Sequence, residues 1–149
     1  MEELIKFKKL LQSELTDDIK YELLVLKPNA MNYFFYQDVR EFMDAYDNWI
    51  IDDYSNETKY QLIHLIEHLI PKYQFIESVR KSVVWLSNRP AGGQHAGIDS
   101  SVILQSVELS TTIHIGCNRS QLKNRNMALK LFEVALEEYC NEQFKYKPL

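Results

Sequence analysis

The residues of this chain best suited to chemistry by type and spacing lie in Pro90-Ala91-Gly92-Gly93-Gln94-His95-Ala96-Gly97, which holds three of the four glycines in the sequence. A turn needs one glycine, and a phosphate cradle would place a lysine or a helix start directly after it. Glycine reaches backbone angles closed to other residues and lets a second molecule come close. Glutamine has no usable pKa, so Gln94 is no general base. It offers two amide donors, a carbonyl acceptor and its backbone N–H. Such a tip can act only by placing dipoles where charge develops and by controlling water. It therefore needs a reaction centre built elsewhere to insert into.

The elements that position this stretch differ on its two sides. Leu4, Phe7, Leu11 and Leu15 recur at helical spacing, and Phe35, Val39, Phe42, Tyr46 and Trp49 follow a 4-3-4-3 step. Leu62, Ile66 and Leu69 form a third helical stripe, with Ser55 and Asn56 as candidate caps and Pro71 as its end. Tyr21–Leu26 fits helix or strand. Beyond Pro71 the period changes. Val79–Leu86 reads as a strand, Val102–Ser106 as a second, and Thr111–Ile115 as a third reached by a turn near Glu108–Ser110. Asn118 then reads as the cap of a long helix, with Gln121 completing a capping box and Leu122, Leu129, Phe132, Leu136 and Tyr139 as its apolar face. The expected fold class is α+β: a helical region, 1–74, followed by a small domain, 75–149, of strand, glycine loop, two-strand hairpin and helix.

Charge follows the same division. Residues 1–80 carry nine Lys/Arg against fifteen Asp/Glu, and residues 81–149 carry eight against six. A nucleic-acid contact therefore belongs to the second half, while the acidic first half suits protein or solvent. Two cysteines without CxxC spacing suit a reducing, cytoplasmic setting. The acidic start does not read as a secretory signal, and no apolar run is long enough to span a bilayer, so no membrane association is expected.

Three ordered blocks give the sequence a specific likeness. They are Ala91-Gly92-Gly93-Gln94-His95-Ala96, Asp99-Ser100-Ser101-Val102, and Arg119-Ser120-Gln121-Leu122-Lys123-Asn124-Arg125 followed by Ala128-Leu129. Over residues 77–137 the chain resembles the catalytic domain of class-I peptide chain release factors and their ribosome-rescue relatives. It departs from that pattern at Pro90, Gly97 and Ile98, in a loop shorter by about one residue before Asp99, and in lacking the usual Pro-Thr-Gly hairpin turn. The resemblance implies a divergent member, active in translation termination or ribosome rescue, that hydrolyses the peptidyl-tRNA ester without reading a codon and needs no cofactor or metal. Gly92, Gly93 and Gln94 would be the catalytic residues. Arg89, His95, Arg119, Gln121, Lys123 and Arg125 would bind RNA. The partners would be large-subunit ribosomal RNA and P-site peptidyl-tRNA. The bland reading of Arg119–Arg125 is a solvated first helical turn.

Neither stop-codon tripeptide of the decoding factors, Pro-x-Thr or Ser-Pro-Phe, occurs here, and the C-terminus is not the basic tail of the tail-type rescue factors. Residues 1–70 are therefore expected to touch the ribosome or recruit a protein partner in their place. The alternative function is a non-catalytic ribosome- or RNA-binding regulator derived from a release factor. A third class makes the helical half the functional part, as an interaction module.

Other candidates carry bland readings. His64-Leu-Ile-Glu67-His68 matches the inverted zinc-protease pattern, yet it lies in an apolar helix and no third ligand can be picked out. Asp99, Ser100 and Ser101 lack the context of a nucleophile, and Asp99 is expected to brace the loop. His114 reads as a strand residue. Cys117 and Cys140 read as small buried or half-buried residues. The aromatics 33–36 could stack bases, but core packing is the expected role.

Overall fold

The computed structural model describes residues 1–86 and 100–149. Its elements run α1 (Glu2–Gln12), α2 (Asp17–Ala30), α3 (Tyr36–Ile51), α4 (Asn56–Lys81), β1 (Val84–Leu86), β2 (Val102–Ser106), β3 (Thr111–Ile115) and α5 (Gln121–Gln143), an α+β architecture. They divide into two compact units, Met1–Gln74 with Phe144–Leu149, and Phe75–Gln143. Among the described residues no helix is long and apolar enough to cross a membrane.

The first unit is built from helical stripes. Leu4, Phe7 and Leu11 of α1 and Phe42, Tyr46 and Trp49 of α3 are buried in its core, with the Phe7 and Phe42 rings edge-to-face at 5.2 Å. Tyr21–Leu26 proves helical. Thr16 caps α2 by accepting the Ile19 N–H at 3.2 Å, Asp17 and Asp18 fill the first turn, and Leu23 is buried. Of the aromatics 33–36 only Phe35 is buried, and Tyr33 and Tyr36 are exposed. The turn after α3 carries Asp53 and Tyr54 at φ 52° and 58°. Tyr54 tolerates this left-handed angle because its N–H donates to Trp49 O at 2.8 Å and its ring lies edge-to-face with Trp49. Ser55 then caps α4, accepting the Thr58 N–H at 3.3 Å.

Pro71 does not end its helix. Helix α4 continues to Lys81, and the expected strand shrinks to Val84–Leu86. Proline costs the helix one hydrogen bond and crowds the preceding turn. The two residues directly after it are anchored to α3. Lys72 Nζ lies 2.8 Å from Asp38 Oδ2, and the Tyr73 hydroxyl donates to the same oxygen at 2.6 Å while accepting the Phe35 N–H at 2.7 Å. Asp38 and Lys72 are almost wholly buried, so each charge depends on the other.

The second unit is an antiparallel sheet in the order β1-β2-β3 with α5 packed on β2 and β3. Pairing of Trp85 with Leu104, and of Leu104 with Ile113, sets the register. Alternation along β2 turns Val102, Leu104 and Ser106 into the core. The β2–β3 turn is closed by the Ser110 N–H on Val107 O at 3.0 Å, with Ser110 at φ 50°. Arg80 near the end of α4 grips both oxygens of Glu133 on α5 at 2.9 Å.

The buried face of α5 differs from the expected one. Asn124, Ala128, Phe132, Leu136 and Cys140 are buried, whereas Leu122 is 68% exposed and Leu129 and Tyr139 are also exposed. A strict four-residue step advances about 40° each time round the helix. The buried line therefore winds along α5, and small Ala128 lets the helix lie close to the sheet.

Candidate functional site

Gly92, Gly93 and Gln94, together with Arg89, His95 and Asp99, lie outside the described residues. The structure describes what flanks them: the end of β1 at Leu86, the entry to β2 at Ser100, and the turn that leads from β3 into α5.

That turn is held by one buried side chain. Asn124, inaccessible to solvent, donates through Nδ2 to Ser100 O at 2.8 Å and to Asn118 O at 2.9 Å, and its Oδ1 accepts the Asn118 N–H at 3.1 Å. The Ser100 hydroxyl adds a bond to Asn118 O at 2.6 Å. The entry to β2, the turn before α5 and the first turns of α5 are thus tied at a single point. Gly116 completes the fit: a Cβ there would stand 3.1 Å from the Ser101 Cβ.

Asn118 is not the helix cap. Ser120 is, accepting the Lys123 N–H on its hydroxyl at 3.3 Å, while its carbonyl takes the Asn124 N–H at 3.1 Å. Asn124 holds the backbone of Asn118, and the Asn118 side-chain amide donates to Met127 Sδ at 3.1 Å instead. Hydropathy cannot mark Asn124 as a core residue. The visible signal was its place five residues after Arg119 in the third motif block.

Of the expected RNA-binding residues, the structure brings Arg119, Gln121, Lys123 and Arg125 to the start of α5. Gln121 is its first residue, and no acidic side chain occupies its first turn. The helix N-terminus and these cations make the region favourable to anions. Arg119 and Lys123 are exposed and form no ion pair among the described residues. Arg125 is placed differently: its guanidinium lies over the Trp85 ring, 4.5 Å from the centroid. Trp85, Leu86, Ser101, Val102, Gln121 and Arg125 line an open cleft of about 150 Å³ beside both ends of the 87–99 segment. Trp85 had been read only as a strand residue.

The remaining candidates resolve simply. His64 and His68 both pack on the Tyr146 ring, at 5.7 and 5.1 Å, and His64 Nε2 lies 2.8 Å from Lys147 O. Their shared face therefore holds the chain's own C-terminal residues. Burial, and then the Lys72 charge, hold the His68 pKa below the ordinary histidine value, against Asp38 and Glu41. No group of three or more His, Cys, Asp or Glu side chains able to hold a metal ion occurs among the described residues. His114 is an exposed residue of β3. Cys140 is buried, but Cys117 is exposed, contrary to expectation, because it sits in the turn and not on the sheet.

The chain matches no known family model, no curated protein and no solved structure.

Proposed function

We propose that this chain is a release-factor-like hydrolase that cleaves the ester of peptidyl-tRNA in the ribosomal peptidyl transferase centre without reading a codon. One observation carries the reading. The sequence Gly92-Gly93-Gln94 falls between the edge strand β1 and the central strand β2 of an antiparallel sheet, and Arg119-Ser120-Gln121 opens the helix packed on that sheet. This is the element order in which the resembling family carries its catalytic tripeptide.

The chemistry follows from what an uncharged tip can supply. Water adds to the ester carbonyl carbon, the bond from that carbon to the ribose oxygen breaks, and the proton from water passes to the ribose oxygen. The backbone N–H of Gln94 would donate to that oxygen as charge develops on it, and its side chain would admit and orient the water. Gly92 and Gly93 would permit the backbone pose. Arg119 and Lys123, exposed beside the helix start, would engage RNA phosphates. Arg89 and His95 adjoin the tripeptide in sequence and would meet the same RNA. Asn124 would hold the downstream root of the tip at a fixed distance from the α5 cations.

Release of peptide from ribosomes that carry peptidyl-tRNA in the P site and no stop codon tests this. The wild-type chain should release peptide, Gln94→Ala should lose most of the activity, and Gln94→Pro, which removes the N–H donor, should lose about 10²–10³-fold. Ribosome binding without release, and indifferent to Gln94, would replace this reading with that of a non-catalytic binder.

A further inference from the structure

Helix α2 is apolar on two faces. Its inner face, Ile19, Leu23, Leu26 and Ala30, packs into the first unit. Its outer face carries Tyr21, Leu24, Val25 and Pro28 at i, i+3, i+4 and i+7, and Tyr21, Leu24 and Val25 are 68, 50 and 55% exposed. Single exposed apolar residues need no explanation, but a contiguous stripe spanning about 10 Å along one helix does.

The charges on α2 are sorted around this stripe. Both of its lysines turn away to aromatic rings: Lys20 Nζ sits 4.0 Å from the Tyr54 centroid and Lys27 Nζ 4.5 Å from that of Tyr46. Lys20 also reaches Asp17 at 3.9 Å. Asp18 and Glu22, one turn apart along the edge of the stripe, are exposed and form no ion pair among the described residues. The outer face therefore presents an apolar ridge bordered by uncompensated carboxylates.

The geometry points to this face as a docking surface for a basic amphipathic helix of a partner protein. Such a helix lays its own apolar residues along Tyr21, Leu24 and Val25 and sets Lys or Arg against Asp18 and Glu22. Charge excludes the other occupants. RNA phosphates and an anionic lipid surface are repelled by the carboxylates. A second copy brings the same carboxylates to the contact and has only Lys20 and Lys27 on its α2 as counterions, both held over their own aromatic rings. The surface lies in the first unit and does not depend on the hydrolase reading.

The test uses the full chain and a fluorescein-labelled helical peptide of Leu and Lys at amphipathic spacing, beside a Ser–Lys peptide of equal length and charge. The Leu–Lys peptide should bind about tenfold or more tighter than the Ser–Lys control. Leu24→Ser with Val25→Ser should weaken it about tenfold, and Glu22→Lys about fivefold with a shallower salt dependence. Asp44→Lys, the same change of charge on the exposed face of α3, should leave binding unchanged. All these positions are exposed, so melting curves should stay in place, and Glu22→Lys reads the same surface without removing apolar area. Equal binding of both peptides overturns the proposal, as does equal loss in the α3 variant. Binding of short RNA or of phosphatidylserine vesicles by the chain itself that is lost in Leu24→Ser with Val25→Ser overturns it too, as does a dimer abolished by Leu24→Ser.

Discussion

Replacing Asn124 by alanine removes three hydrogen bonds at once, of 2.8, 2.9 and 3.1 Å. Asn118 O keeps the Ser100 hydroxyl, so the groups left without their partner are Ser100 O and the Asn118 N–H. A buried polar group stripped of its partner costs about 1–3 kcal/mol, less where water reaches it, and Ser100 and Asn118 are half-buried. The expected loss is about 2–4 kcal/mol, with the small cavity included. Asn124→Asp should be worse, because a carboxylate oxygen would face two carbonyl oxygens where an amide donor now stands. Urea unfolding gives the total, and amide hydrogen exchange should show the loss of protection concentrated at Asn118 and the first turns of α5. If Asn124→Ala costs under about 0.5 kcal/mol, or protection falls evenly over both units, Asn124 is not the staple of this turn. On the proposed function the same variant should lower peptide release although Gln94 is untouched.

The remaining predictions concern other parts of the fold. Lys72→Met should cost about 3–5 kcal/mol, because Asp38 stays buried beside Tyr73 without its cation, and adding Asp38→Leu should recover a good part of that in urea midpoints. Gly116→Ala should cost about 1 kcal/mol in unfolding, since the new methyl requires the Ser101 Cβ at the β2 entry to give by a few tenths of an ångström. His68 has a folded pKa below its unfolded value, so neutral His68 contributes stability above about pH 6.5. That contribution should be lost as pH falls through the lower folded value, and His68→Gln should flatten the urea midpoint between pH 7.5 and 5. Arg125→Gln should change the emission of Trp85 and leave that of core Trp49 unaltered, which a Trp85→Phe background separates.

Several elements show where the sequence was legible. The 3.6-residue period of α1 and α3 and the alternation of β2 report directly which face is buried, and the Ser55 cap is local chemistry. Helix α4 misled for a physical reason: its period runs on through Leu69, Tyr73, Ile76 and Val79, all buried, but Pro71 ordinarily outweighs such a signal. What reverses the balance is Asp38, distant in sequence. The start of α5 misled in a similar way, because Asn118 and Ser120 are both competent caps, and only the folded turn, in which Asn124 holds the Asn118 backbone and Met127 takes its side-chain amide, assigns them.

The amino-acid order by itself determined the α+β succession of elements, the acidic character of the first half, and the place of the uncharged sequence Gly92-Gly93-Gln94 between two strands. Those follow from local periodicity, backbone freedom and side-chain chemistry. The tertiary structure alone decided that α4 passes through Pro71, that α5 buries Asn124 and Ala128 in place of Leu122 and Leu129, that Arg125 rests on Trp85, and that α2 keeps its cations inward and its carboxylates outward. Each of those depends on a partner far along the chain, and the energy of a buried charge or amide is set by that partner, not by the residues beside it.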